Sequence, residues 1–155
     1  MLNHPHHQGF RAAAEKEMRT LMGRGTFTAV EEPPEGAQIL PLLWVFQYKF
    51  DQNGTLVKYK ARLCIRGDLQ RSNSQDTYAA TLAVRTFRAL IALMAAYDLE
   101  ALQLDAVNAF LNSPIDEEIY CKCPPGYENL GKGLKLVRAL YGLRRAPKLW
   151  YEEFV

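Results

Sequence analysis

An alternating run of residues, followed by a turn and a second predicted strand, constrains the fold of this chain more than any other feature. The run predicts a β-strand at 42–50 with four aromatic rings on one face: Trp44, Phe46, Tyr48 and Phe50. Residues 51–54 read Asp-Gln-Asn-Gly, and Asn-Gly tolerates the positive φ that a tight turn requires. Residues 55–65 then predict a returning strand. The sequence therefore predicts an antiparallel hairpin with an aromatic face.

The same hairpin carries four cations: Lys49, Lys58, Lys60 and Arg62. Lys60 and Arg62 lie two positions apart on the second strand, so they share one face. Two cations on one side of a hairpin could hold the oxygens of a phosphate group. The alternative is an ordinary solvated strand face.

Weaker patterns predict the elements around the hairpin. Apolar spacing predicts helices at 10–22 and 84–97, strands at 100–107 and 118–123, and a helix from about Pro147. The first helix would bury five side chains on or near one face: Phe10, Ala14, Met18, Leu21 and Met22. Residues 1–9 are polar and are predicted to be a disordered N-terminus. Hairpin, helices and strands together predict an α+β domain over 10–155.

A net charge of only +2 over 155 residues conceals a segregation of charge along the chain. Residues 49–88 carry eight basic and three acidic groups, and residues 132–148 carry six basic groups and no acidic one. Between these blocks, residues 89–131 carry seven acidic groups and one basic group. This order suits a site for a polyanion and a metal, and ordinary surface charge is the alternative explanation.

Missing motifs exclude several classes of function. The sequence contains no phosphate-binding loop, dinucleotide fingerprint, nucleophile elbow or His-Glu-x-x-His, which removes most NTPase, dehydrogenase and hydrolase interpretations. Its three cysteines give no disulfide framework, and no apolar run approaches the ~20 residues of a membrane span. The first residues also lack the apolar core of a signal peptide. We therefore expect an intracellular protein without a membrane partner.

Asp105 is a carboxylate at the end of an apolar predicted strand. Burying such a group is costly unless it is paired or bound to a metal. Mg²⁺ takes carboxylate oxygens and leaves room for substrate phosphates, so Asp105 is a candidate catalytic and metal-binding residue. The alternative is a capping aspartate for the turn at Asn108.

A second candidate segment lies at 139–148, where an apolar run meets a glycine, two arginines and a proline. Gly142 permits close approach of the backbone to a ligand. Arg144, Arg145 and Lys148 could meet a nucleic-acid backbone. A plain junction between a loop and a helix explains the same residues.

Four ordered motifs are more specific together than apart. They are Lys-Tyr-Lys-Ala-Arg-Leu at 58–63 with Arg-Gly at 66–67, Gln-Leu-Asp-Ala-Val-Asn-Ala-Phe-Leu-Asn at 103–112, Ile-Tyr at 119–120 with Pro-Pro-Gly-Tyr at 124–127, and Ala-Leu-Tyr-Gly-Leu at 139–143 with Pro147 and Trp-Tyr at 150–151. In this order they resemble the reverse transcriptase of copia-type retrotransposons. The resemblance covers about residues 10–155.

The resemblance implies a partial right-hand polymerase fold in which the hairpin at 42–65 belongs to the fingers and an incomplete palm follows. Lys60 and Arg62 would contact the triphosphate of the incoming nucleotide. Asp105 would be the first catalytic aspartate of the palm and would bind Mg²⁺.

Other roles follow from the same resemblance. Ala106 would offer its backbone N–H beside the triphosphate. Phe110 matches the bulky position at which a ring clashes with a ribose 2′-OH, which would favour deoxynucleotides. Tyr141 and Gly142 match the loop that supports the template and the nucleotide base.

The implied reaction is nucleotidyl transfer on an RNA or DNA template-primer. A primer 3′-OH would attack the α-phosphate of a deoxynucleoside triphosphate, and two Mg²⁺ ions would stabilise the attacking and leaving oxygens. The protein would supply positioning and charge.

The sequence departs from the family pattern in one important respect. The Tyr-x-Asp-Asp hairpin of the family has no counterpart here, since no two aspartates are adjacent and the last one is Asp116. We therefore expect a truncated domain with fingers, the first part of the palm and no thumb, which binds Mg²⁺ weakly and is inactive alone.

Further expectations concern partners and rival interpretations. The C-terminal half of the polymerase is a candidate partner, and the cytoplasm, a virus-like particle or the nucleus are candidate locations. The alternatives are a non-catalytic nucleic-acid-binding relic of a transposon and a structural remnant without activity.

Overall fold

The computed structural model describes residues 4–71, 77–79 and 81–155. Three α-helices are present in these ranges: α1 (His7–Gly23), α2 (Val84–Tyr97) and α3 (Ala146–Phe154). The strands are β1 (Phe27–Val30), β2 (Ile39–Leu40), β3 (Leu42–Phe50), β4 (Leu56–Ile65), β5 (Tyr120–Cys121) and β6 (Gly133–Leu136). The chain is thus a mixed structure of helices and sheets. Among the described helices, none has the length and apolar character needed to cross a membrane.

The predicted hairpin is confirmed. β3 and β4 pair in antiparallel register, with Trp44 opposite Leu63 and Tyr48 opposite Tyr59. In the turn, the carboxylate of Asp51 accepts hydrogen bonds from backbone N–H groups at 2.8 and 2.9 Å, and Gly54 has a φ of +79°. A residue with a Cβ would be strained at that φ, so the glycine is what allows the chain to reverse there.

Helix α1 packs against the aromatic face of this hairpin. The ring of Phe10 lies 4.9–5.2 Å, between centroids, from three aromatic rings: Phe46, Tyr48 and Tyr59. Four of the five predicted apolar residues of α1 are buried, whereas Met22 is 45% exposed. The helix begins at His7, three residues earlier than predicted, so residues 7–9 of the segment 1–9 are helical. A Cβ at Gly9 would lie 2.5 Å from the ring of Tyr59, so glycine allows this first turn to lie against β4.

The other sheet has four short strands in the order β1-β6-β5-β2. β6 pairs antiparallel with both β1 and β5, while β2 and β5 run parallel. The strand predicted at 118–123 is present but is confined to Tyr120–Cys121. The largest buried side chains join α1, the hairpin, this sheet and the loop before α3 into one core: Leu21, Leu63, Leu111, Leu134, Leu136 and Leu140.

The segment around α2 differs from its prediction. The helix is confirmed at Val84–Tyr97, yet none of its residues is buried. The predicted strand at 100–107 is wrong, because residues 101–106 have no regular secondary structure and belong to no β-ladder. Leu102 and Leu104 are 83% and 82% exposed. The alternating pattern is real, but a strand also needs a partner, and the described residues supply none here.

Candidate nucleotide and nucleic-acid site

The cations of the hairpin lie on the face opposite the aromatic rings. Lys60 stands opposite Gln47 in the register, and Arg62 stands opposite Val45. Partial burial lowers the pKa of the Lys60 ammonium, and the neighbouring cations of Arg62, Lys49 and Lys58 lower it further. Cations that repel one another in this way are stabilised by an anion placed between them. This face can therefore bind a polyanion such as a triphosphate or a nucleic-acid backbone.

Three predicted site residues form a row between the hairpin and the loop before α3. The guanidinium carbon of Arg62 lies 5.2 Å from the centroid of the Tyr141 ring, a cation–π distance. The Tyr141 ring in turn lies 5.1 Å from the ring of Phe110, edge to face at 70°. Residues separated by 79 and by 31 positions in sequence are thus adjacent in space. The row combines a cation for phosphate with two rings for a sugar or a base.

The backbone around Tyr141 is fixed to the end of β4. The N–H of Ile65 donates to the carbonyl oxygen of Tyr141 at 2.8 Å. Gly142 has a φ of +90°, and a Cβ at this position would lie 2.2 Å from the carbonyl oxygen of Ile65. Gly142 thus allows a close backbone approach to β4, while its approach to a ligand stays a prediction.

Asp105 and Ala106 lie apart from this row, in the exposed segment after α2. Both residues are solvent-exposed and belong to no strand. No group of three or more His, Cys, Asp or Glu side chains could hold a metal ion within the described ranges. Mg²⁺ keeps its waters unless several anionic oxygens replace them. The residues described in this chain therefore do not fit a Mg²⁺ site.

The three cations predicted to bind a nucleic-acid backbone have partners inside the molecule. Arg144 donates to the carbonyl oxygens of Gly67 and Asp68, at 2.9 and 3.3 Å. Arg145 is 8% exposed and forms an ion pair with Asp116. Lys148 lies 3.5 Å from Glu152 on the next turn of α3. Each of these three cations therefore already has a partner within the chain.

Sequence reasoning missed Glu17 on α1. Its side chain is half-buried against β4, and burial raises the pKa of its carboxyl group. The backbone of Leu63 and the charges of Arg62 and Lys60 oppose that shift. The sequence places Glu17 next to Met18, beside the predicted buried stripe of α1. Burying a carboxylate there costs free energy unless it has partners, and this could have identified the residue.

Comparison with known proteins identifies the protein family of this chain. The reverse transcriptase (RNA-dependent DNA polymerase) family matches residues 24–155, which is most of the chain, so the chain belongs to that family. The resemblance found in the motifs is thereby confirmed at the level of the family. No solved structure matches the chain.

The similar curated proteins are polyproteins of copia-type transposons. The retrovirus-related Pol polyprotein from transposon TNT 1-94 of Nicotiana tabacum is 38% identical over 99% of this chain and 12% of its own length. The corresponding polyprotein from transposon RE2 of Arabidopsis thaliana is 32% identical over 93% of this chain and 10% of its own length. The truncated transposon Ty1-A Gag-Pol polyprotein of Saccharomyces cerevisiae is 32% identical over 74% of this chain and 9% of its own length. The chain thus spans about a tenth of the length of the curated relatives it matches.

Proposed function

We propose that this chain supplies the fingers and the first part of the palm of an RNA-directed DNA polymerase of a copia-type retrotransposon, and that it binds the incoming deoxynucleoside triphosphate. The row Arg62, Tyr141 and Phe110 is the observation that carries the proposal. In the intact polymerase, a primer 3′-OH forms a bond to the α-phosphate of the nucleotide, and the bond to the pyrophosphate breaks.

Each member of the row has a chemical task in this proposal. Arg62, with Lys60 beside it, binds the triphosphate oxygens. The Phe110 ring occupies the space that a ribose 2′-OH would need, so a deoxyribose is preferred. Tyr141 packs between them and holds the side chain of Arg62 at its ring face. Gly142 fixes the backbone of the loop, and Ala106 adds its backbone N–H when the segment at 98–107 closes on the nucleotide.

Catalysis needs groups beyond these residues. Asp105 belongs to no group of three or more possible metal ligands among the described residues, so we propose that it contributes one Mg²⁺ ligand only in the intact polymerase. The chain alone is then inactive in nucleotidyl transfer. We propose the template-primer as a further partner, bound along the cations of the hairpin rather than by Arg144, Arg145 and Lys148, which have internal partners.

Binding of deoxythymidine triphosphate to the chain, followed by isothermal titration calorimetry, tests the nucleotide site. We expect Arg62→Ala to weaken binding by about tenfold or more, because a charge-assisted hydrogen bond to phosphate is lost. Phe110→Ala is expected to reduce the difference in binding affinity between deoxythymidine triphosphate and ribothymidine triphosphate. Lys16→Ala removes an exposed cation of α1 and is the matched control for net charge. Equal affinities for wild type and Arg62→Ala would contradict the proposal.

A further inference from the structure

We propose that Arg144 is a positioning residue, which fastens the base of the β3–β4 hairpin to the loop 141–144 and so sets where Arg62 meets the nucleotide. The inference rests on the proposed function of Arg62. It assigns Arg144 a role different from the nucleic-acid contact that its sequence context predicts.

The two segments meet backbone to backbone through a pair of glycines. A Cβ added at Gly67 would lie 2.1 Å from the carbonyl oxygen of Gly142. A Cβ added at Gly142 would lie 2.2 Å from the carbonyl oxygen of Ile65. Both distances are far below a van der Waals contact, so only glycine allows this approach on either side.

Arg144 closes the contact with its guanidinium group. Its Nε donates to the carbonyl oxygen of Gly67 at 2.9 Å, and one of its terminal nitrogens donates to that of Asp68 at 3.3 Å. The planar arrangement of guanidinium donors suits two neighbouring acceptors, which a lysine ammonium does not match in geometry. The hydrogen bond from the N–H of Ile65 to the carbonyl oxygen of Tyr141 joins the same two segments.

The acceptors of Arg144 sit on a turn that is itself braced. Gly67–Leu69 forms a short 3-10 helix directly after β4. The Arg66 guanidinium binds both carboxylate oxygens of Asp68, at 2.8 and 2.7 Å. The two carbonyl oxygens are therefore presented by a turn that is also held by contacts independent of Arg144.

The contact controls the position of Arg62 because both lie at one end of β4. Arg62 precedes Ile65 by three residues on the same strand, and its guanidinium lies over the ring of Tyr141. Tyr141 is bonded through its backbone to Ile65. A shift of the loop 141–144 relative to β4 would move the ring away from the guanidinium and change where the cation points.

Two NMR measurements on the chain without nucleotide test the positioning role. Arg144→Ala is expected to speed hydrogen exchange of the Ile65 amide by about tenfold or more, because the contact that protects this amide is loosened. It should also move the Arg62 Nε–H resonance away from its ring-shifted position. Arg144→Lys keeps the charge without the planar donors, so we expect the same changes at smaller size.

Arg138→Ala is the matched control. Arg138 also donates to backbone carbonyls, those of Arg24, Leu111 and Asn112, but none of these belongs to β4, to the turn after it or to the loop 141–144. Its loss should leave the Ile65 exchange and the Arg62 resonance at their wild-type values. A merely destabilising effect of losing an arginine that donates to backbone carbonyls would change both variants alike and would overturn the proposal.

Nucleotide and nucleic-acid binding separate this inference from the function on which it rests. We expect Arg144→Ala to weaken binding of deoxythymidine triphosphate by about tenfold, through the displaced Arg62. If the wild-type chain binds no triphosphate, the proposed function fails, while the two NMR measurements still decide the positioning role. The proposal would be overturned if both Arg144 variants kept the wild-type Ile65 exchange and Arg62 resonance but lost oligonucleotide binding. That result would mean that Arg144 contacts nucleic acid.

Discussion

Glu17 shows what a single residue contributes where α1 meets the hairpin. Burial raises the pKa of its carboxyl group above the ordinary value of 4.5, against the effects of the Leu63 backbone and the charges of Arg62 and Lys60. The folded chain therefore holds the proton of this group more tightly than the unfolded chain does. By linkage, the stability associated with this shift is fully present below the unfolded pKa and is lost as the pH rises through the folded pKa.

A pH series tests this residue. Glu17→Gln removes the titration and keeps an oxygen that can accept from the Leu63 backbone, so we expect a higher unfolding temperature than wild type at pH 7 and a smaller difference at pH 4. Thermal unfolding followed by circular dichroism at both pH values measures it. Glu15→Gln makes the same change at an exposed position of α1 and serves as control. If wild type and Glu17→Gln differ equally at both pH values, burial of the charge is not the cause.

At the scale of elements, α1 and α2 differ in how far their apolar side chains are buried. α1 buries Phe10, Ala14, Met18 and Leu21, whereas α2 buries none of its residues although it is rich in apolar side chains. Phe87, Leu90, Ile91 and Leu93 are 46–53% exposed. Apolar side chains on several sides of one helix are typical of a helix buried in a larger protein. Together with the exposed leucines of the segment 98–107, α2 is a surface that we propose contacts the rest of the polymerase.

A matched pair of substitutions tests the contrast between these helices. Leu21 is completely buried, so Leu21→Ala is expected to cost about 2–5 kcal/mol of unfolding free energy. Leu93 is 50% exposed on α2, and Leu93→Ala is expected to cost less than about 1 kcal/mol. Urea unfolding of the two variants measures both costs. Equal losses of unfolding free energy would mean that α2 is packed in solution. They would contradict the proposal that α2 is an exposed contact surface.

At the scale of the whole molecule, the positions of the candidate site residues divide into two groups. Arg62, Phe110 and Tyr141 are assembled within this chain, and Lys60 lies beside them on β4. Asp105 and Ala106 lie on the exposed segment after α2, and no group of three or more His, Cys, Asp or Glu side chains among the described residues could hold a metal ion there. The row that we propose binds the nucleotide is therefore assembled among the described residues, whereas a cluster of metal ligands is not.

Complementation tests this division. We expect the chain alone to give no templated primer extension with Mg²⁺ and deoxynucleotides. When it is co-expressed with the polyprotein segment that follows the matched region in a copia-type relative, we expect extension to appear and the amides of 98–107 to gain protection from hydrogen exchange. Asp105→Asn in the same mixture should abolish extension but retain the protection. Templated synthesis by the chain alone would contradict the proposal.

The local pattern of the sequence determined those parts of the structure whose partners lie close by in the chain. The hairpin is such a case, because the aromatic alternation and Asn53-Gly54 specify both strands and their reversal. α1, α2 and α3 follow for the same reason, since a helix satisfies its backbone hydrogen bonds within itself. The ordered motifs also identified the family, because they depend on residue order alone.

Only the tertiary structure decided what depends on contacts between distant segments. The pattern at 100–107 predicts a strand, but a strand forms only when a neighbour accepts its hydrogen bonds, and none is at hand among the described residues. Arg144 and Arg145 looked like free cations until their acceptors, Gly67 and Asp116, were placed beside them. The approach of Gly67 to Gly142 is likewise invisible in sequence, because 75 positions separate two residues whose backbones touch.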